Sequence, residues 1–495
     1  MLRSLIALLV LVIAFDFLFW HQTPGINYLL FSILVIAILL WRNPGAWKRK
    51  TVLLSGTLTL LSATMIVLHG PGWAVFATIC SLLVFPAFVM EEKIRSVLTA
   101  FFQGIANLTS GMISAFIRLA NYRGGNKFMR RAGFLFKLLV IPILVTIIFF
   151  AFYAFGNPHF ASLFDGFISS VKSFFRELSF SRILFLFAGT IISISFLVYV
   201  KAGLEMQDVC SGNRVRVRKK NNPPAGMLAL KREMQAGIAM LVLLNALLLL
   251  VNVIDIQRVW NHFVVPENFS LKRFVHDGTW TLAVSILLSM IVLLWLFRGN
   301  MHFYSKNKLL KQLAYVWIGQ NIFLSLSLFK RTYHYIAFHG LAYGRIAVII
   351  CLLLLVFGLV SFIIKLKKDK SVFFLQCVNS WAVYSVISLM SLVSWDKLIV
   401  NYNLHHPNQG QIDVDFYLSV RPDVFPLLYE NKELIGQQMD AHKQNKVKWV
   451  THLDPGYFWS EMYRKRSGYL EDHLGWKWQS WNYADDRALD WMDIH

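Results

Sequence analysis

The residues of this chain best suited to chemistry are charged and imidazole side chains at the ends of predicted helices between residues 255 and 345. The candidates are His276, Asp277, Arg331, His334 and Arg345. An arginine beside a carboxylate forms a strong charge-assisted hydrogen-bonded pair. Such a pair either locks neighbouring helices together or forms an outward-open site for an anionic ligand or a lipid headgroup. The sequence leaves both interpretations open.

Asp16 is a sixth candidate, because it lies in an apolar run among Phe15, Phe17 and Phe19. An ionisable group inside a membrane is costly and by default suggests a function. Alternatively, Asp16 lies at the outer interface and pairs with a basic residue there. We therefore include it as a candidate ligand-binding residue with a structural alternative.

Motifs for catalysis or cofactor binding are absent from the sequence. It contains no GxxxxGK[ST], GxSxG or HExxH, and no GxGxxG in a βαβ setting. Histidines with carboxylates could bind a metal, but the adjacent His405 and His406 diverge on a regular backbone. The four cysteines form no CxxC pair. We expect no catalytic residue, no metal and no cofactor, and the balance leans against an enzyme.

The composition is that of a membrane protein. Of the 495 residues, 56% are hydrophobic and 15% are charged, whereas soluble chains have about 25% charged residues. A soluble globule of this length would need far more polar surface. This excludes a cytosolic enzyme, a secreted disulfide scaffold and a disordered chain.

The apolar runs predict an all-α polytopic bundle of about eleven spans, since a spanning helix needs about 20 mostly apolar residues. The predicted spans are 2–20, 25–42, 51–69, 72–89, 133–154, 182–201, 234–255, 278–297, 309–329, 345–365 and 372–394. The first run is interpreted as an uncleaved anchor because its apolar core is too long for a signal peptide. The predicted domains are a transmembrane bundle, 1–394, and a small extracytoplasmic helical tail, 395–495.

The distribution of basic residues predicts the orientation. With the N-terminus in the cytoplasm, the inner loops before Trp395 carry 28 Lys and Arg residues and the outer loops carry 9. Positive charge concentrates in cytoplasmic loops. We therefore expect a multi-pass membrane protein with a cytoplasmic N-terminus and an extracytoplasmic C-terminus.

Three segments outside the spans have distinct patterns. Apolar residues at helical spacing near 91–118 and 158–180 predict amphipathic interfacial helices. A basic, proline-containing loop is expected to contact anionic lipids at the cytoplasmic face, and it lacks the interleaved aromatic residues of nucleic-acid binding. Its basic residues are Arg214, Arg216, Arg218, Lys219 and Lys220. The tryptophan-rich tail is expected to dock on the membrane surface or the outer loops.

A set of short motifs resembles a known family. The motifs are residues 274–279 (FVHDGT), Gln320-Asn321, residues 331–335 (RTYHY), residues 340–345 (GLAYGR) and the tail segment 413–428. Together they resemble the bacterial polytopic membrane family of unknown function in the DUF4153/DUF4173 group, over roughly residues 230–430 and the two-span opening around Phe19-Trp20. The resemblance implies a multi-pass protein of a bacterial cell membrane and supplies no activity.

The sequence leaves three classes of function. The first is a non-enzymatic scaffold or sensor of the cell envelope, whose outer loops and tail engage a partner protein. The second is a transporter of a small anionic or lipid-like substrate, and the third is a membrane enzyme acting on a lipid-linked substrate. We favour the first because of the large tail and the missing catalytic motifs.

Overall fold

The computed structural model describes residues 2–120, 146, 180–201, 203, 227–261, 278–298, 307–406, 412–444 and 454–494. Throughout these ranges the regular structure is helical, with no β-strand. The helices are α1 Leu2–Phe19, α2 Ile26–Arg42, α3 Lys50–His69, α4 Trp73–Met90, α5 Val97–Ala120, α6 Phe180–Leu197, α7 Met227–Asp255, α8 Gly278–Leu296, α9 Lys308–His339, α10 Tyr343–Lys367 and α11 Val372–Leu389. The tail helices are α12 Trp395–His405, α13 Val414–Ser419, α14 Phe425–Glu430, α15 Lys432–Gln444, α16 Pro455–His473 and α17 Tyr483–Ile494.

Six helices in the described part of the chain are long and apolar enough to cross a membrane. They are α3, α4, α7, α8, α10 and α11, while α2 and α6 are apolar but shorter. The apolar character supports a membrane-embedded protein. The predicted total of about eleven spans stays a prediction, and the predicted span 133–154 lies outside the described residues except for residue 146.

The chain divides into two compact units. Unit 1 comprises residues 1–95, 99–206 and 476–482, and unit 2 comprises residues 96–98, 207–475 and 483–495. This division follows contacts within the chain, so it does not test the predicted membrane boundary after residue 394, which stays a prediction.

The α3–α4 pair of unit 1 buries small hydroxyl residues among its apolar ones and exposes large apolar side chains. Its buried side chains include Ser55, Thr59, Ser62, Thr78 and Ser81. Its exposed side chains include Leu53, Leu54, Phe76 and Ile79. Several of the hydroxyls bond to carbonyls of their own helix, as Thr59 does to Ser55. Small hydroxyl residues between helices and large apolar residues outside are typical of helices packed in lipid.

Helix α5 also buries polar residues and exposes apolar ones. From Thr99 onward its buried face carries Gln103, Gly104, Asn107 and Gly111, whereas Phe102 and Ile113 are exposed. A Cβ at Gly104 would lie 2.3 Å from the carbonyl oxygen of Leu83, so only glycine permits this approach to α4. Helix α5 overlaps the segment near 91–118 that is predicted to be an amphipathic interfacial helix, and its interfacial location stays a prediction. The other predicted helix, 158–180, lies outside the described residues except for its last residue.

Hydrogen bonds locate the two ends of unit 1. At one end, Arg42 donates to the carbonyl of Leu197 over 3.0 Å. Next to it, Arg49 donates to the carbonyl of Val89 over 2.7 Å. The last turns of α2, α4 and α6 therefore share this end of the unit, which we call the Arg42 end.

The opposite end of unit 1 holds the last turn of α1 and the first turn of α6. Arg182 donates to Asp16 over 2.7 Å and also lies 5.8 Å from the ring of Trp20. We call this the Asp16 end. Because α6 begins here and ends at the Arg42 end, it runs antiparallel to α1 and parallel to α2.

Unit 2 contains the bundle α7–α11 and a tail with its own hydrophobic core. The bundle core includes Leu293, Phe297, Leu310 and Phe362. The tail core combines residues from α12 to α17, and its largest buried side chains are Tyr417, Phe425 and Phe458. The tail helices thus pack around a shared core rather than as separate amphipathic segments.

Candidate functional site

Helices α7 and α9 are joined by a ladder of amide side chains. Asn245 donates to the carbonyl of Leu313, and Asn252 donates to the carbonyl of Gln320, each over 3.2 Å and each across 68 residues of sequence. The side chain of Gln320 returns a hydrogen bond to Asn245 over 3.2 Å. A constant sequence offset means that the two helices run parallel. The seven-residue step between the rungs is that of a coiled-coil seam.

The ladder ends at a buried ion pair. Arg331 of α9 donates to Oδ1 of Asp255, the last residue of α7, and both side chains are buried. The other carboxylate oxygen, Oδ2, has no hydrogen-bond partner among the described residues. Beyond Asp255 the helix widens into a π-helix, Ile256–Asn261, a form often found at functional sites. The Trp260 indole of this segment donates to Ser327 over 2.9 Å.

The first turn of α8 approaches the same ion pair. A Cβ at Gly278 would lie 3.9 Å from Nη1 of Arg331, so the guanidinium fits beside the helix start. Thr279 follows, and it is 2% exposed. Its hydroxyl has no hydrogen-bond partner in the part of the chain that the structure describes. A buried hydroxyl without a partner is costly, which makes Thr279 a candidate ligand contact.

Arg345 is held rigidly at the start of α10. Its Nη1 donates to the carbonyl of His339 over 2.9 Å and also to the carbonyl of Gly340. Its guanidinium lies 4.6 Å from the centre of the Tyr335 ring. Among the described residues, no carboxylate forms an ion pair with Arg345. The guanidinium is therefore held in place by carbonyl oxygens and an aromatic ring, while the Asp413 carboxylate attracts it without forming an ion pair.

A cavity of about 190 Å³ lies between these elements. Its walls are Thr279, Trp280, Thr332, Tyr335, Ala342, Gly344, Arg345 and Val348. The cavity combines one cation and a few hydroxyls with apolar walls. We call it the Arg345 cavity. This chemistry suits a small anionic or acceptor group attached to an apolar body.

A second cavity, of about 310 Å³, lies between α7, α8 and α9. It is lined by leucines and valines with Ser285, Ser289, Trp317 and Asn321, and by no charged residue. Hydrocarbon is the chemistry that such walls accept. The Arg345 cavity is therefore the better candidate for a specific polar ligand.

The structure separates the predicted site residues. Arg331 and Arg345 lie at the same end of unit 2, and Arg345 lines the cavity while Arg331 pairs with Asp255. His334 is half-buried on α9 and is not among the residues lining the Arg345 cavity. His276 and Asp277 lie outside the described residues. The basic loop, namely Arg214, Arg216, Arg218, Lys219 and Lys220, also lies outside them.

Asp16 belongs to unit 1 and its known partner is a cation. Its carboxylate accepts the hydrogen bond from Arg182, as the pairing alternative expected. Whether Asp16 also contacts a ligand stays a prediction. In the described ranges, no group of three His, Cys, Asp or Glu residues could hold a metal ion.

Sequence reasoning missed Asp255 as the partner of Arg331, and it missed Thr279 and Tyr335 as walls of the cavity. One available signal was the seven-residue spacing of Asn245 and Asn252, repeated by Leu313 and Gln320. That spacing pairs α7 with α9 and brings the ends of both helices together.

The family described as Domain of unknown function (DUF4153) matches residues 51–431. The chain belongs to the DUF4153 family. The match covers the Arg345 cavity, the amide ladder and part of the tail. For this DUF4153 protein, no curated protein and no solved structure matches. The family assignment confirms the resemblance, and it supports a membrane protein without assigning a role.

Proposed function

We propose that this chain is an integral protein of a bacterial cell envelope that crosses the inner membrane eleven times and acts as a non-enzymatic sensor or scaffold. In this proposal the Arg345 cavity binds the anionic headgroup of a lipid-like ligand. The tail and the outer loops engage an envelope protein, and the basic loop 214–220 contacts anionic lipids on the cytoplasmic side.

The arrangement of unit 1 supports an odd number of crossings between α4 and α6. Helix α4 ends at the Arg42 end, whereas α6 begins at the Asp16 end. In this proposal the predicted span 133–154 connects these two ends. It brings the proposed total to eleven, together with the six described helices that are long and apolar enough to cross a membrane and with α1, α2, α6 and α9.

The positions of basic residues support the orientation. The Arg42 end of unit 1 carries Arg42, Lys48, Arg49 and Lys50. In unit 2, Arg298 at the end of α8 pairs with Glu233 near the start of α7 over 3.6 Å, away from the Asp255–Arg331 end. Cytoplasmic loops are the basic ones, so both of these ends are proposed to be cytoplasmic.

The observation that carries the ligand proposal is the fixed Arg345 cation beside the unpartnered Thr279 hydroxyl in one cavity. A phosphate oxygen could accept from the hydroxyl while its charge is balanced by the guanidinium. The apolar walls from Trp280 and Val348 favour a ligand with hydrocarbon over a free anion.

The transporter alternative has one observation in its favour. Helix α7 changes from α- to π-geometry at Ile256, immediately after a buried carboxylate, and broken helices beside charged groups are typical of transporters. An enzyme is less well supported, because the described residues lining the Arg345 cavity include no carboxylate, imidazole or thiol.

The test compares two threonines that line the same cavity. The Thr332 hydroxyl already bonds to the carbonyl of Leu328 over 2.9 Å, whereas the Thr279 hydroxyl has no partner among the described residues. Native mass spectrometry would follow retention of phosphatidylglycerol and phosphatidylcholine by the wild type, Thr279→Val and Thr332→Val. A hydrogen bond to a charged group contributes about 1.5–3 kcal/mol, so we expect Thr279→Val to weaken phosphatidylglycerol binding roughly 10- to 100-fold.

Thr332→Val is the matched control and should change binding by less than about threefold. Arg345→Gln should abolish the preference for the anionic lipid over phosphatidylcholine. Equal retention of both lipids by the wild type, or equal effects of the two threonine variants at unchanged thermal stability, would overturn the proposal.

A further inference from the structure

The C-terminal segment Trp476–Asn482 is fastened to the turn between α1 and α2. The amide of Ile26 donates to the carbonyl of Trp481 over 2.9 Å. The amide of Thr23 donates to the hydroxyl of Ser480 over 3.0 Å, and this hydroxyl donates to Gln22 over 3.0 Å. Ser480 is fully buried by these contacts. All of these residues belong to unit 1.

Gly25 makes this close approach possible. A Cβ at position 25 would lie 2.4 Å from the carbonyl oxygen of Ser480. The atoms that this Cβ would meet belong to the backbone of Ser480 and Trp481, and backbone cannot move aside as a flexible side chain can. The turn itself is rigid, because the buried Asn27 accepts from the amide of Gly25 and donates to the carbonyl of Leu18.

The fastened segment turns two tryptophans outward. Trp478 is 53% exposed and Trp481 is 42% exposed. The Trp478 ring lies 6.1 Å from the ring of Phe17. Phe17 is the last member of an exposed apolar stripe on α1, which also contains Ile13 at 66% and Leu9 at 60% exposure. Trp478 therefore extends an apolar surface at the point where α1 reaches Asp16, which pairs with Arg182 of α6.

We propose that Trp476–Asn482 is a membrane-interface anchor, with Trp478 and Trp481 inserted into the headgroup region of the bilayer at the Asp16 end of α1. Indole rings prefer this region because they combine an apolar ring with one N–H donor. The anchor ties the end of the chain to both the bilayer and the first helical hairpin. This inference rests on the proposed crossing of the membrane by α1.

A nitroxide label tests the anchor in the full chain. In a variant with all four cysteines replaced by serine, single labels would be introduced by Trp478→Cys, Ile13→Cys and Arg464→Cys in nanodiscs containing phosphatidylglycerol. Ile13 is the reference for the apolar membrane interior. Arg464, whose side chain is 77% exposed on α16, is the aqueous reference. The readout is the ratio of label accessibility to oxygen and to a water-soluble nickel chelate.

We expect the ratio at position 478 to lie between the two references and at least twofold above that at 464. A ratio equal to that at 464 would place Trp478 in water and overturn the anchor. Low accessibility to both reagents would mean burial against protein and would overturn it too. If the label at Ile13 gives the aqueous value, the proposed membrane crossing of α1 fails. Failure of the crossing is thereby distinguished from failure of the anchor alone, in which only position 478 is aqueous.

Gly25→Ala tests whether the close contact between Gly25 and Ser480 holds Trp478 at the membrane interface. Added to the labelled Trp478→Cys chain, it should lower the ratio at 478 to the aqueous value, because the Cβ displaces Ser480. Gly468→Ala, where an added Cβ would meet nothing within 4 Å, is the matched control and should leave the ratio unchanged. The label at Ile13 in the Gly25→Ala background shows that the hairpin is still folded. An unchanged ratio at 478 would contradict the fastening role.

Discussion

Removing one charge of the Asp255–Arg331 pair should destabilise the bundle strongly. Both side chains are buried where α7 and α9 end. Two unit charges about 4 Å apart attract by about 4 kcal/mol at an effective dielectric constant of about 20. Breaking a buried pair by removing one partner costs about 3–5 kcal/mol, because the remaining charge stays buried. Asn keeps the shape of Asp, so Asp255→Asn isolates the charge.

We expect Asp255→Asn to lower the free energy of unfolding by about 3 kcal/mol, the lower limit of this range. The reason is that Asp255 Oδ2 receives no hydrogen bond from the described residues. This loss lowers the folded-to-unfolded ratio roughly 150-fold. Denaturation with SDS in mixed micelles, followed by circular dichroism, measures the change. In the double variant Asp255→Asn/Arg331→Gln, no charge is left alone, and the double-mutant cycle should give a coupling energy of at least about 2 kcal/mol.

The Glu233–Arg298 pair provides the control. Its atoms are 3.6 Å apart, but both side chains are exposed. Exposed pairs contribute about 0–1 kcal/mol, so Glu233→Gln should cost less than about 1 kcal/mol. If Asp255→Asn costs no more than Glu233→Gln, or if the two changes in the cycle are additive, then burial does not make this pair important and the reasoning is refuted.

Three further variants test the packing and the tail. Gly104→Ala should cost about 1–3 kcal/mol in detergent unfolding, because its Cβ meets backbone at 2.3 Å, whereas Gly111→Ala, with contacts no closer than 3.6 Å, should be neutral or stabilising. Asn252→Leu removes one rung of the ladder and should cost about 1 kcal/mol by the same measurement. Burial raises the pKa of the Tyr417 phenol, and burial together with Asp485 raises that of Tyr469. Because the unfolded phenols ionise first, near pH 10, the tail should lose stability above about pH 10, and Tyr417→Phe should reduce this loss in an alkaline titration followed by tryptophan fluorescence. An alkaline midpoint that does not move would contradict the buried phenol.

The sequence could predict helices and their apolar character because both are local properties. Lipid satisfies no backbone hydrogen bond, so a long apolar run has to be helical. The observed bounds of α3, Lys50–His69, and α4, Trp73–Met90, follow their predicted spans within a residue. The family resemblance carried by the residues between 274 and 345 is likewise a property of the chain alone.

The tertiary structure was needed to show which face of each helix is buried and which charged residues pair. Periodicity marks two faces on α5 but does not say which one is buried. Here the inner face holds Gln103, Gly104 and Asn107, because the surroundings of a membrane protein are apolar. Charge pairing is equally non-local. Arg331 lies 76 residues from Asp255 in sequence, and only the parallel packing of α7 and α9 unites them.

The sequence by itself thus determined that the protein is helical and membrane-embedded, because both follow from composition and from runs of one helix length. The tertiary structure alone decided which polar residues meet. It placed the Thr279 hydroxyl and the Arg345 guanidinium in one cavity and brought Ser480 to Gly25. Such contacts depend on helix direction, rotation and offset, which no single apolar run encodes.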